Sequence, residues 1–147
     1  MKRYCAYFRF IFVCVMGAFM APPLYASPLQ KTVIAESSSS DSVYRVVSAT
    51  NGEGAWYEIS RTDSKSNRSE VLAQDQQIFT NTANDGGAAI PAAAKRQLAL
   101  GYADHVISKA GGIDAYSLSL RDYATYGIPL PSGLFREALI EKGVRMP

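Results

Sequence analysis

An apolar run from Phe10 to Ala21, preceded by Lys2, Arg3 and Arg9 and with no acidic residue before Glu36, decides how much of this chain is available to fold. Its 12 residues suit the hydrophobic segment of a secretory leader and fall short of the roughly 20 needed to span a bilayer as a helix. Pro22 and Pro23 then break the helix. The small residues Ala26 and Ser27 mark the expected cleavage bond. Residues 1–26 therefore read as a signal peptide that is removed, with bacterial export to the periplasm or beyond and no stable membrane insertion afterwards. Lipid attachment is excluded because Val13, not a small residue, precedes Cys14, and Cys5 lies too early.

Removing the leader changes the chemistry of what remains. The full chain carries 15 basic and 13 acidic residues, but Lys2, Arg3 and Arg9 leave with the leader, so 12 basic residues face 13 acidic ones. The apparent basic character thus belongs to the export signal. Nucleic acid is not an expected partner, since binding it needs clustered positive charge to displace counterions. Cys5 and Cys14 also leave, so the exported domain is cysteine-free. Disulfides, thiol nucleophiles and thiolate metal sites are thereby excluded. The absence of disulfides favours a bacterial periplasm over a small secreted eukaryotic domain.

Residues 27–147 suffice for one monomeric domain. The segment 27–42 ends in Ser37-Ser38-Ser39-Ser40-Asp41-Ser42 and reads as a flexible spacer, with Thr32 to Ala35 as a minor candidate for an edge strand. From Val43 the pattern is β. Val43 to Val47 and Trp56 to Ile59 flank Asn51-Gly52, a hairpin signal because both residues tolerate positive φ. Glu70 to Ala73 follows, and Ile78 to Thr80 offers a fourth strand. Tyr57 and Ile59 share one face of their strand, and Trp56 and Glu58 share the other.

The second half is helical. Pro91 opens a helix whose apolar arc includes Leu98, Ala99, Tyr102, Ala103, Val106 and Ile107, and Gly111-Gly112 ends it. Asp114 is the expected N-cap of a second helix, with an Ile113–Leu118 staple and a Tyr116, Leu120, Tyr123 and Ala124 inner stripe. Its Ser-Leu-Ser-Leu alternation leaves a strand open as the alternative. Ile128-Pro129-Leu130-Pro131 is an extended connector, and Ser132 caps a last helix closed by Gly143. The expected fold is α+β: an N-terminal antiparallel β-meander of three or four strands packed against two or three C-terminal helices, spanning 43–147.

Chemistry-bearing residues are few. His105 is the sole histidine and the one candidate for general base catalysis, but Asp104 projects about 100° away from it on a helix and orients it poorly. No metal site and no cofactor are expected, as no ligand pair or acidic loop has suitable spacing. Asn84-Asp85-Gly86-Gly87 reads as a strand-to-helix loop, with no lysine placed to hold an anion. Glu137 and Glu141 read as solvated charge on an amphipathic helix. Tyrosine and tryptophan, rich in contact area and polar-tipped, mark the candidate binding residues. These are Trp56, Tyr57, Asn51 and Glu53 around the hairpin, and Tyr126, Pro129 and Pro131 around the connector.

The leading functional expectation is an exported, non-catalytic protein-binding module, an inhibitor or immunity-type protein, whose partner is another envelope or secreted protein. An accessory part of a secretion or pilus assembly, tethered by the serine tract, is the alternative. A small periplasmic hydrolase using His105 is the third reading.

Overall fold

The computed structural model describes residues 27–147, so the expectations about the leader lie outside the described residues. Four strands, β1 (Gln30–Ser38), β2 (Ser42–Asn51), β3 (Gly54–Asp63) and β4 (Ser69–Asp75), form one antiparallel sheet in sequential order. Three helices follow, α1 (Ala92–Ala110), α2 (Ile113–Thr125) and α3 (Gly133–Glu141). The fold is α+β: α1 packs on one face of the sheet against β1 and β2, and α2 and α3 pack against α1.

The expected spacer is largely a strand. β1 pairs with β2 from Gln30↔Thr50 to Ser38↔Val43. Its serines serve two structural purposes that composition alone hides. Ser37 is buried and donates its hydroxyl to Gln97 on α1 at 2.6 Å. Ser39 closes the following turn through its N–H to the Ser42 carbonyl at 2.8 Å. Serine is a turn residue because its hydroxyl bonds nearby backbone, and here the serine tract is a hairpin end.

Each edge strand carries a bulge. The register skips Ile34 on β1 and Leu72 on β4, and both extra residues turn their apolar side chains against the core. Bulges of this kind blunt an edge against further strand pairing. Ile78 to Thr80, expected as a strand, is a loop whose Ile78 and Phe79 are buried.

The central hairpin also differs from expectation. Asn51 pairs with Gly54, leaving Gly52 and Glu53 as the loop. None of these residues adopts a left-handed φ. Asn51 acts through its side chain instead, with Oδ1 accepting from the N–H groups of Glu53 at 2.8 Å and Gly54 at 3.1 Å.

α1 lies across the sheet, burying Leu98, Ala99, Tyr102 and Ala103 against Tyr44, Val46 and Ile59. It crosses β1 so closely that a Cβ on Gly101 would come within 2.5 Å of the Ala35 Cβ. All three helices end in the same way. An N–H two residues past the last turn bonds back to Ile107, Tyr123 or Leu139, with Gly111, Gly127 or Gly143 supplying the left-handed residue. α2 is a helix and not a strand, but Gly112 is its N-cap in place of Asp114, which sits in the first turn and pairs with Arg145 at 2.7 Å. Its inner stripe is Tyr116, Ser117 and Leu120, while Tyr123 and Ala124 face outward. Leu118 is exposed, so no staple with Ile113 is formed at the buried side. No helix among the described residues is long and apolar enough to cross a membrane.

Candidate functional site

The strand parity that separates Tyr57 from Trp56 sends the hairpin candidates in different directions. Tyr57 points to the helices, its ring 4.9 Å from that of Tyr102 in an edge-to-face contact. Tyr102 continues to Phe135 at 4.8 Å and Phe79 at 6.1 Å. Tyr57 is thus core filler. Asn51 is occupied in closing its turn, and Glu53 is exposed at the tip.

Trp56 and Glu58 occupy the face away from the helices. The indole Nε1 donates to Glu58 Oε1 at 2.9 Å, and Lys31 Nζ reaches Oε2 at 2.7 Å. Lys31 lies on β1 and Glu58 on β3, so the pair closes over β2, and Ala49 and Val47 beneath it are buried. Glu58 retains only 5% of its exposure. Burial pushes its carboxyl upward, but the hydrogen bonds from Lys31 and Trp56 and the charge of Lys31 outweigh it, and the net result lies below the ordinary value. A second polar row runs from Glu36 through Arg45 (2.7 Å) and Thr62 (3.2 Å) to Ser69 (2.8 Å), one residue from each strand. Charge pairing of this kind is what a water-facing sheet surface carries.

Asn84 organises the loop after β4. Its buried side chain accepts from the N–H groups of Thr80 (3.1 Å) and Asn81 (3.0 Å) and donates to the Gln77 carbonyl and Thr80 hydroxyl, both at 2.7 Å. Phe79 is held there at φ 63, a left-handed conformation costly for an aromatic residue. Its carbonyl accepts from Phe135 N–H at 3.1 Å, and the Thr80 carbonyl accepts from the Ser132 hydroxyl at 3.1 Å. The start of α3 therefore docks on the 79–80 backbone, so close that a Cβ on Gly133 would lie 2.8 Å from the Thr80 oxygen.

That docking fixes the far end of the connector, and the end of α2 fixes its near end through Ile128 N–H to the Tyr123 carbonyl at 2.8 Å. Between these anchors the chain presents a ridge of apolar side chains. Tyr126 is 78% exposed, Ile128 47% and Leu130 37%, with Tyr123 at the helix end beside them. Pro129 is exposed, whereas Pro131 is buried and serves as an anchor. The hairpin and connector candidates thus do not converge: Trp56 lies on the outer sheet face and Tyr126 on the helix layer.

His105 faces inward. Its ring stands 5.8 Å from Tyr57, and its Nε2 is buried without a hydrogen-bond partner. Burial, with a smaller contribution from the Lys109 charge, lowers its basicity below the ordinary imidazole value. Asp104 is engaged elsewhere, with Lys142 at 2.6 Å. The 84–87 loop does have a lysine nearby, since Lys95 reaches back from α1 to Asp85 at 3.2 Å and the Gly87 carbonyl at 2.9 Å. The pair neutralises itself and leaves no bare positive charge for an anion. Glu141 is ion-paired with Arg96 at 2.6 Å. Among the described residues no three His, Cys, Asp or Glu side chains gather closely enough to hold a metal ion.

The residues that sequence reasoning missed are Asn84, Lys31 and Lys95. Asn84 lay within a polar string that reads as loop, and its partners meet only after the chain turns back on itself. Strand parity groups Trp56 with Glu58, but nothing in the sequence brings Lys31 to them, because the weakly alternating segment before Ser37–Ser40 reads as a spacer. No family model matches the chain, no curated protein matches it, and no solved structure matches it.

Proposed function

We propose that the protein is an exported, non-catalytic protein-binding module of the inhibitor or immunity kind, which engages another envelope or secreted protein through the Tyr123–Leu130 ridge. The observation that carries this reading is the run of Tyr126, Ile128 and Leu130 standing exposed on a connector fastened at both ends. Contiguous exposed apolar side chains mark interaction surfaces, and tyrosine is enriched among residues that dominate binding energy. Anchoring matters as much as exposure. A segment already held in its bound shape loses little conformational freedom on association, which favours affinity.

The alternatives draw less support. A hydrolase built on His105 needs an open approach to an imidazole whose free nitrogen is instead buried beside Tyr57. A tethering role for the serine tract loses its premise, because Gln30–Ser38 is paired into the sheet.

The test is to pass envelope extract over the immobilised protein and over its Tyr126→Ser/Ile128→Ser variant in parallel. One stoichiometric partner is expected on the wild type, with affinity reduced at least about tenfold, or 1.4 kcal/mol, in the variant. Equal retention by both proteins, or no partner on either, contradicts the proposal.

A further inference from the structure

We propose that Asn51 and Gly52, at the tip of the β2–β3 hairpin, form a self-modifying site: the Gly52 amide attacks the Asn51 side chain, which becomes aspartate or isoaspartate. Of the chain's asparagines only Asn51 precedes glycine; Asn67, Asn81 and Asn84 precede arginine, threonine and aspartate. A side chain on the following residue crowds the approach of its backbone nitrogen, and glycine brings none. Gly52 is exposed, and its N–H donates to no acceptor among the described residues. The attacking group is therefore uncommitted and open to base.

The fold also poses the electrophile. Asn51 Oδ1 accepts from the Glu53 N–H at 2.8 Å and the Gly54 N–H at 3.1 Å, which curls the side chain over the loop that Gly52 begins. Negative charge gathers on Oδ1 when a nucleophile adds to the amide carbon, and these two donors already point at that oxygen. Such an arrangement is an oxyanion hole. The departing Nδ2 group carries no hydrogen bond among the described residues. Asn84 shows the opposite, protected case: its side chain is buried, and its Nδ2 is held by the Gln77 carbonyl and the Thr80 hydroxyl, both at 2.7 Å.

The reaction needs only base and water, and nothing is oxidised or reduced. Base removes the Gly52 N–H proton, the nitrogen bonds to Asn51 Cγ, and the Cγ–Nδ2 bond breaks as ammonia leaves with a proton. Water then opens the cyclic succinimide at either carbonyl. Opening at one restores the backbone with aspartate, and opening at the other leaves isoaspartate, whose backbone is longer by a methylene. Both products place a new negative charge next to the exposed Glu53. Isoaspartate also displaces the Asn51↔Gly54 pair that closes the hairpin, next to Thr50↔Ala55 and Ala49↔Trp56. The exported protein thus carries a slow, irreversible record of its age at the hairpin tip, separate from the ridge.

The experiment incubates the purified protein at neutral pH and in mild alkali, beside a linear peptide of residues 48–59. Digestion in acid halts the reaction, and mass spectrometry then reads the conversion of amide to acid at each asparagine. Asn51 should convert at least about tenfold faster than Asn67, Asn81 or Asn84, and faster in alkali than at neutral pH. The folded protein should react at least as fast as the peptide, because the turn holds the carbonyl between its two donors. Gly52→Ala should slow conversion at least about tenfold. The nearest atoms to its methyl belong to Ser27, outside the sheet, so the variant should keep the wild-type unfolding temperature. The comparison of protein with peptide keeps the test open if that variant misfolds. A slower reaction in the folded protein than in the peptide, a preference for Asn51 below about tenfold, or a Gly52→Ala rate within about tenfold of wild type overturns the proposal.

Discussion

Lys31 and Glu58 meet at 2.7 Å although a whole strand, β2, separates them. The long lysine stem makes this possible, covering apolar sheet surface while its charged head reaches the carboxylate. The face without helices thereby buries Val47 and Ala49 using the sheet's own side chains.

Replacing Lys31 with Met leaves a buried carboxylate with one donor in place of two. The expected loss is about 1–3 kcal/mol at neutral pH, read from urea unfolding. The sign of its pH dependence follows from Glu58. A carboxyl held below its ordinary value of 4.5 contributes stability that is present above that pH and lost as pH falls through the lowered folded value. The gap between wild type and Lys31→Met should therefore be widest above pH 4.5 and close in stronger acid. A gap independent of pH contradicts this assignment.

Asn84→Ala removes the acceptor for two backbone N–H groups and the donor for three oxygens, those of Asp75, Gln77 and Thr80, at once. We expect a destabilisation of about 2–4 kcal/mol, larger than an exposed loop asparagine produces. Asn84→Asp should recover none of it, since the new carboxylate oxygen would stand against the Gln77 carbonyl and the Asp75 carboxylate that the amide nitrogen now faces. A change within about 0.5 kcal/mol for Asn84→Ala would show that the loop is held by other means.

Gly101→Ala reverses a familiar trend. Alanine inside a helix is ordinarily favoured over glycine by about 1 kcal/mol. Here the added methyl meets Ala35 at 2.5 Å, and overpacking should produce a net loss of about 1–3 kcal/mol. Thermal unfolding of the double variant Ala35→Gly/Gly101→Ala should recover stability relative to Gly101→Ala alone. Additive losses in the double variant would contradict close packing of α1 on β1.

His105 makes a further pH prediction. Its folded basicity is lowered, first by burial and then by Lys109, so the unfolded chain takes up the proton at higher pH than the native one. This contribution leaves stability undiminished above the ordinary value of 6.5 and reduces it as pH falls below 6.5 toward the folded value. His105→Gln should flatten the stability profile in that window, and an unchanged profile would place the imidazole in a more solvated setting.

The α+β arrangement was legible because period-two runs precede helical ones along the chain and glycines punctuate the helices. β1 was not, because Gln30–Ser38 alternates weakly and ends in two serines, of which Ser37 is buried through a bond to Gln97, 60 residues away. Tyr126 and Pro129 could be singled out as aromatic and proline next to a helix stop, and both are exposed. Pro131 and Tyr57 carry the same residue chemistry and are turned inward by the docking of α3 and by strand parity. Residue type identifies a candidate contact, whereas the side of the element it occupies is decided by packing.

The central claim is that the ridge is the contact surface. A photo-crosslinking amino acid placed at position 126, and separately at the exposed outer-face position 71, tests it in cells expressing the full chain. A discrete protein adduct from position 126, absent from position 71, is the predicted result. Adducts from position 71 alone, or from neither position, would contradict the assignment of the ridge.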